Sequence, residues 1–514
     1  MLRRILLTVA LGVVAARSGA QEHVHSRTAS EKLGTVHFAT SCNAAAQGQF
    51  DRAVALLHSF EFAEAIKGFR SVLAVDPSCA MAYWGIALSQ WSNPMAAGNR
   101  SPDLLMRGRL SVDSALEKSS RATERERLYI AAVSQLYENS ERANQEARVI
   151  AYEKAMNELV VRQPADTEAK IFHAISLVAS ASPSDKTYSQ QKKAGAILES
   201  LWKKQPNHPG LAHYLIHTYD YPALAAQGAR AARQYAEIAP SAAHALHMPS
   251  HIFTRTGLWR ESIETNLRSM DAALATASIA EALHAGDYAV YAYLQMKNDS
   301  AAKAIVDRLP ALAARFDPNA ITGAAPGSAG VFALAAIPAR FALEREAWNE
   351  AASLEPKPSA FPWTDAMTWF ARALGAAHTR NFAVAHAAVD SLASIESRLA
   401  QSQEPYWAEQ VAIQHLAALA WLDLAEGRRD SALARMRAAL SREDATEKSA
   451  VTPGPLAPAR ELLADMLMQL NMPAEALAEY RKTLLKEPNR RRAIAGAARA
   501  AALSGGAPKR SLLP

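Results

Sequence analysis

HPGLAHYLIHTYDYPALAAQGARAARQYAEIAPSAAHALHMPSHIFTRTGLW, residues 208–259, sets the period on which the chain is built. His213 and His217 stand four residues apart, as do His247 and His251, and the second pair follows the first by 34 residues. Pro206 and Pro240 repeat that interval. Residues i and i+4 share one helix face. A fixed period of this size marks an array of stacked helical hairpins. Both pairs then point the same way from neighbouring parallel helices, with axes about 8–10 Å apart. Four imidazoles converge on one patch, and His244, one turn before His247, stands at its margin.

The rest of the chain reads as the scaffold for that patch. Half of the 514 residues are hydrophobic and only 7% are aromatic. Abundant alanine with modest glycine suits packed helices, and an array can run to this length as one body. Helices are expected near 104–119, 123–137, 145–162, 166–179, 190–204, 279–296 and 300–309, and regular hairpins over 365–443. Residues 315–330 and 355–362 are rich in Pro and Gly and read as breaks, with a degenerate helical pair at 331–354 between them. Residues 450–458, AVTPGPLAP, read as an extended loop. Strand alternation, a Gly-rich phosphate loop and zinc-finger spacing are all missing from the sequence.

MLRRILLTVALGVVAARSGA, residues 1–20, has the form of a secretory leader: two arginines, a short apolar run, then small residues. The run is too short for a comfortable membrane span. The expectation is an exported protein, periplasmic or extracellular, with no membrane span in the mature chain. Loss of Arg3, Arg4 and Arg17 with the leader brings 56 basic residues to 53 against 50 acidic ones. The mature chain is close to neutral, so its basic pI is no argument for nucleic acid. Cleavage after Ala20 would place His23 third, an arrangement that can wrap Cu(II). Cyclisation of a terminal Gln21 removes the amine that this needs.

FAEAIKGFRSVLAVDP, residues 62–77, places Ala65 and Phe69 four apart, with Pro77 eight further on. PAEALAEYRKTLLKEP, residues 473–488, repeats the spacing with Ala476, Tyr480 and Pro488. A small residue, an aromatic and a helix-stopping proline in this order resemble the second helix of the tetratricopeptide repeat. More narrowly, FDRAVALLHSFEFAEAIKGF, DPSCAMAYWGIALS, HPGLAHYLIH, HALHMPSHIFTRTG and VTPGPLAPAREL are similar to exported bacterial tetratricopeptide proteins of unassigned function carrying HPGxxHYxIH and HMPSHI motifs. The resemblance implies an all-α fold, a right-handed α-solenoid of antiparallel hairpins with one degenerate central section. It also implies a protein or peptide partner on the concave face. The chain then divides into a leader (1–20), a polar segment (21–43) and a first array with the histidine patch (44–310). A degenerate section with linkers (311–362), a second array (363–503) and a disordered tail (504–514) follow.

Cys42 precedes the first repeat helix and Cys79 opens the next first helix, a separation of 37 that is close to one repeat. Stacking puts both at one edge, where an exported protein can join them as a disulfide. Two unrelated small residues are the alternative.

The expected ligands of a transition metal are His213, His217, His247 and His251, with His244 beside them. Neutral imidazoles suit zinc or copper rather than calcium or magnesium, which prefer oxygen. Pro249, between His247 and His251, costs about 3 kcal/mol in a helix interior, a conflict expected where function overrides stability. Alternatively the helix starts at Pro249, leaving His244 and His247 before it. The alternative readings are a peptide contact at the patch, or rings that satisfy one another together with Tyr214, Tyr219 and Asp220. His58, His173, His284, His378, His386 and His415 show no cluster by spacing. HYLIH lacks the glutamate of a metalloprotease helix, and no Ser-His-Asp or Cys-His set can be assembled, so no catalytic residue is assigned. Two readings follow. One is an exported scaffold for a protein or peptide partner, with the histidines as ligand contact or structural metal site. The other is a metal-dependent enzyme or periplasmic metal handler using the same histidines. The oligomeric state is not legible.

Overall fold

The helix Phe62–Val75 buries Ala65, Phe69 and Val72 along one side. Phe69 lies across Gly85 of the following helix, Ala80–Trp91, so closely that a Cβ at Gly85 would overlap the ring. Near the other end Tyr480 of Pro473–Lys486 lies across Gly496 of Arg491–Leu503 in the same way. Aromatic and glycine are sixteen residues apart in both cases. One packing solution, a large ring seated in the notch of a missing side chain, therefore stacks the hairpins at both ends of the array.

Turns between successive helices also repeat. Phe60, Gly257, Ala277, Lys297, Glu346, Arg380, Gly427 and Asn471 all have φ between 54° and 85°, and each stands two residues before the next helix. The residue after each donates to a carbonyl five positions back, as in Glu61 to Leu56, Asn298 to Tyr293 and Met472 to Leu467. This is the Schellman closure, which satisfies the last carbonyls of one helix while turning the chain into the next.

The computed structural model describes residues 31–95, 100–140, 144–357, 359–402 and 404–505. The leader 1–20, the first part of the polar segment (21–30) and the tail from 506 lie outside the described residues. From Lys32 onward the described chain forms one body. It is an all-α solenoid of antiparallel helices with no strand among the described residues.

Local signals set most boundaries. Thr123 and Glu126 form a reciprocal capping box ahead of Glu124–Gln135, and the side chains of Asn144 and Asp166 cap Gln145–Arg162 and Thr167–Ala179. The degenerate helical pair expected at 331–354 is present and very unequal: Gly327–Glu344 is one long helix that carries Pro338 inside it, and Trp348–Ala352 is a short one. The polar stretch before residue 44 buries Leu33 and Phe38 in the core. Phe38 is fully buried, with its ring 5.6, 5.3 and 5.0 Å from those of Phe50, Trp84 and Tyr129. Cys42 and Cys79 are disulfide-bonded, with Cα atoms 5.0 Å apart, which anchors this segment to the start of Ala80–Trp91.

The later hairpins come back against the middle of the array. Trp259 Nε1 donates to Asn489 O at 2.9 Å, and the turn at Gly257 packs on the Pro488 carbonyl, where positive φ and lack of a Cβ are both required. Arg340, fully buried and paired with Asp287 at 3.1 Å, donates to Pro455 O and Gly454 O. Loop 446–458 is thereby held against the helices that carry the histidines. Among the described residues no helix is long and apolar enough to cross a membrane.

Candidate metal centre

Three first helices supply the site. Pro209 opens Pro209–Tyr219, which carries His213 and His217 one turn apart. Pro249 has no N–H to continue a helix, so the next first helix is split into Ala243–His247 and Pro249–Arg255. His244 and His247 thus sit on a separate short helix, and His251 on the one after it. Ile279–Gln295 brings His284.

This break regroups the rings. One ring nitrogen from each of His213, His217 and His244 lies within 4.8 Å of the others. The same holds for His247, His251 and His284. The histidines predicted from spacing are therefore brought together, but as parts of two adjoining trios. His244 is a full member of the first trio, not its margin. His284 was missed. Its only sequence signal was its place 33 residues after His251, one repeat further along the same stack. His217 and His251 remain neighbours across the trios, with ring centroids 5.9 Å apart.

All six rings are buried, none more than 4% exposed. In the first trio two Nδ1 atoms are committed. His213 Nδ1 lies 2.6 Å from the His58 carbonyl, and His244 Nδ1 lies 3.0 Å from Glu281 Oε1. A carbonyl and a carboxylate only accept, so both Nδ1 atoms carry the hydrogen and both Nε2 atoms keep a lone pair. The Nε2 atoms of His213, His217 and His244 are all buried without a hydrogen-bond partner. Buried polar atoms are rarely left so. Three such atoms on three clustered rings, two of them oriented from behind, match the ligand and outer-shell pattern of a metal site.

Burial keeps five of the rings neutral. Burial, reinforced by neighbouring imidazoles, holds His213, His217 and His247 well below the ordinary histidine value. Burial lowers His251 too, against the pull of Asp220, and takes His284 down to about 3. Neutral imidazole is the form that binds metal. Asp220 would be raised by its burial, but Lys448, Arg255 and His251 outweigh this and hold it ionised. Its carboxylate meets His251 Nδ1 at 2.8 Å, Arg255 Nε at 2.8 Å and Lys448 Nζ at 2.9 Å. Lys448 comes from loop 446–458, whose Thr452 carbonyl also accepts from Tyr288 at 2.9 Å.

A third cluster supports the first. Glu168 bridges His58 Nε2 and His208 Nε2, each at 2.9 Å, and Tyr214 OH meets His58 Nδ1 at 3.1 Å. Burial would raise Glu168, but the two imidazoles overcome it and hold the carboxylate ionised. Its donor atoms already bond one another, so its role is to fix His58, whose carbonyl orients His213. Spacing left His58 isolated because its partners lie 110 and 156 residues away along the chain. Of the polar residues named as alternative partners, Tyr214 and Asp220 touch the clusters, whereas Tyr219 OH donates instead to Glu199.

No family model and no curated protein matches the chain. Among solved structures it is similar to yeast Tom70, at 13% identity and TM-score 0.39 over 90% of this chain and 96% of that one. It is also similar to human IFIT1, in a dimer with m7Gppp-AAAA, at 11% identity and TM-score 0.41 over 83% and 90%. The APC/C hetero-tetramer Cut9-Hcn1 aligns at 13% identity and TM-score 0.38 over 88% of this chain and 76% of that one. Likeness this distant transfers nothing of what those proteins bind.

Proposed function

We propose that this protein is a metalloprotein whose solenoid buries a zinc or copper ion on His213, His217 and His244. The observation that carries the reading is a set of three buried, unpartnered Nε2 atoms on rings that each bring a nitrogen within 4.8 Å of the others. Nitrogen donors without oxygen donors favour these metals over calcium or magnesium. The ion would be enclosed, because loop 446–458 lies over the neighbouring helices and the rings are shut away from solvent. A peptide contact at the histidines themselves is therefore disfavoured. Export to an oxidising compartment is part of the proposal, supported by the leader-like residues 1–20 and the Cys42–Cys79 bond.

A partner-binding role is the second reading, and it would use other parts of the array. Met106 and Leu110, one helical turn apart on Pro102–Glu117, are 57% and 60% exposed. Such an apolar pair is suited to being covered by a protein.

Untagged protein should be stripped of metal, reconstituted with Zn(II) or Cu(II), desalted and analysed by mass spectrometry for metal. We expect uptake of at least one equivalent by the native chain, abolished at this site in His213→Ala/His217→Ala with helicity retained. No uptake by the native chain would overturn the proposal.

A further inference from the structure

His247 and His251 face each other in a way that two neutral rings do not favour. Their Nε2 atoms are 3.0 Å apart, and the other nitrogen of each ring is already used. His247 Nδ1 lies 2.7 Å from Asn266 Oδ1. That amide cannot be turned round, because Asn266 Nδ2 donates to the Ser262 carbonyl at 2.6 Å. His251 Nδ1 lies 2.8 Å from Asp220 Oδ2, a carboxylate that Arg255 and Lys448 also hold. Both Nδ1 atoms therefore donate, and both Nε2 atoms present lone pairs to each other. Lone pairs at this separation in a buried site repel unless a positive charge lies between them.

A metal ion fits the spacing. Two nitrogens each about 2.0–2.1 Å from one ion are about 2.8–3.4 Å apart for bond angles from a right angle to the tetrahedral value. His284 supplies a third nitrogen within reach, and its Nδ1 is buried and unpartnered. The second trio also copies the outer shell of the first. Each has one histidine backed by a carboxylate (His244 by Glu281, His251 by Asp220) and one backed by a neutral oxygen (His213 by the His58 carbonyl, His247 by Asn266).

The two trios adjoin. Ring centroids across the boundary, His217 to His251 and His244 to His247, are each 5.9 Å apart. Inside the trios His217–His244 and His251–His284 are 6.3 and 6.2 Å.

We infer that the chain holds two transition-metal ions side by side, one per trio, in a binuclear centre of six imidazoles. The inference rests on the proposed function for its first ion. The second ion comes from the His247–His251 geometry alone.

Stoichiometry on the full chain tests it. Metal-free protein would be titrated with Cu(II) and with Zn(II), desalted, and bound metal counted per chain. The expected result is two equivalents for the native chain and one for His284→Ala. Spin counting of the copper form should also find less paramagnetic signal than two isolated Cu(II) ions would give. One equivalent in the native chain, unchanged by His284→Ala, would overturn the second ion and leave a proton shared between His247 and His251, with the first site intact. No bound metal would overturn both. The native stoichiometry decides the matter even if the variant does not fold.

Discussion

Glu281 is the most informative single substitution, because it acts on the centre without touching a metal. It is almost wholly buried; Oε1 receives His244 Nδ1 at 3.0 Å and Oε2 receives the Ala325 backbone N–H at 2.8 Å. Glutamine is nearly isosteric but has one acceptor where glutamate has two. If its oxygen faces Ala325, its amide N–H confronts His244 Nδ1. The ring then moves its hydrogen to Nε2 and is lost as a ligand. If its oxygen faces His244, the Ala325 N–H is left against another donor. Losing an outer-shell partner of this kind costs about 10–100-fold in metal affinity, or about 1.4–2.7 kcal/mol. Leaving a buried donor unsatisfied costs stability of about 1–3 kcal/mol. Competition titration of Zn(II) against a chromophoric chelator would measure Glu281→Gln beside the native chain. The first site should weaken within that range while the second changes less than about twofold. Unchanged affinity at both sites, in a variant that keeps native circular dichroism, would refute the outer-shell role assigned to Glu281.

Removing the disulfide by Cys42→Ser/Cys79→Ser should lower stability by about 3–4 kcal/mol in the chain-entropy model for a 37-residue separation. Denaturant unfolding measures it, and native protein unfolded without reductant should show no thiol to labelling. Gly85→Ala forces a methyl into the Phe69 ring and should cost about 1–3 kcal/mol. Gly48→Ala, with open space around it, serves as the control. Lys297→Gly relieves an exposed left-handed residue at φ 58° and should be neutral or stabilising by up to about 1 kcal/mol. Acid should unfold the metal-free protein early. His213, His217, His247, His251 and His284 have depressed pKa values when folded, so the unfolded chain binds more protons below the ordinary value of about 6.5. Stability is complete above that pH and falls beneath it by about 1.4 kcal/mol per unit for each such ring, continuing for His284 towards pH 3. A flat stability curve from pH 7 to 5 would contradict this. Proton competition for metal should likewise set in below the pH of about 6 expected for unperturbed rings.

The fold was legible because its packing is written in short spacings. Ala65 to Phe69, and Ala476 to Tyr480, state the small-then-aromatic rule on one helix face, and the structure uses both aromatics identically against Gly85 and Gly496. The hairpin turns were not legible. Phe60, Ala277, Lys297, Glu346 and Arg380 take the left-handed conformation that a reader seeks at glycine. The cost at each is offset by the carbonyl closure that follows, a relation between backbone atoms that side-chain identity does not reveal. The packed stretch before residue 44 was hidden for a related reason: polar in composition, it is fixed by two buried side chains, Leu33 and Phe38, and by the Cys42–Cys79 bond.

Five of the six clustered histidines were legible and their grouping was not, and Pro249 accounts for the grouping. A 34-residue offset superimposes His213 on His247 and His217 on His251 only if both helices run unbroken. Pro249 ends one short helix after His247 and begins another before His251. His244 then leans back to the preceding pair while His247 leans forward to His284. The proline first read as a local conflict is thus what turns one patch of four rings into two sets of three. Of the groups that hold each set, Glu281 lies about one repeat from His244, but the His58 carbonyl lies 155 residues from His213 and Lys448 228 from Asp220. A period along one stack cannot reach the last two, because they arrive only when distant hairpins close on one another. Arg340 and the loop 446–458 that it pins belong to the centre in that sense. They supply no ligand, yet they bring Lys448 to the carboxylate that orients His251.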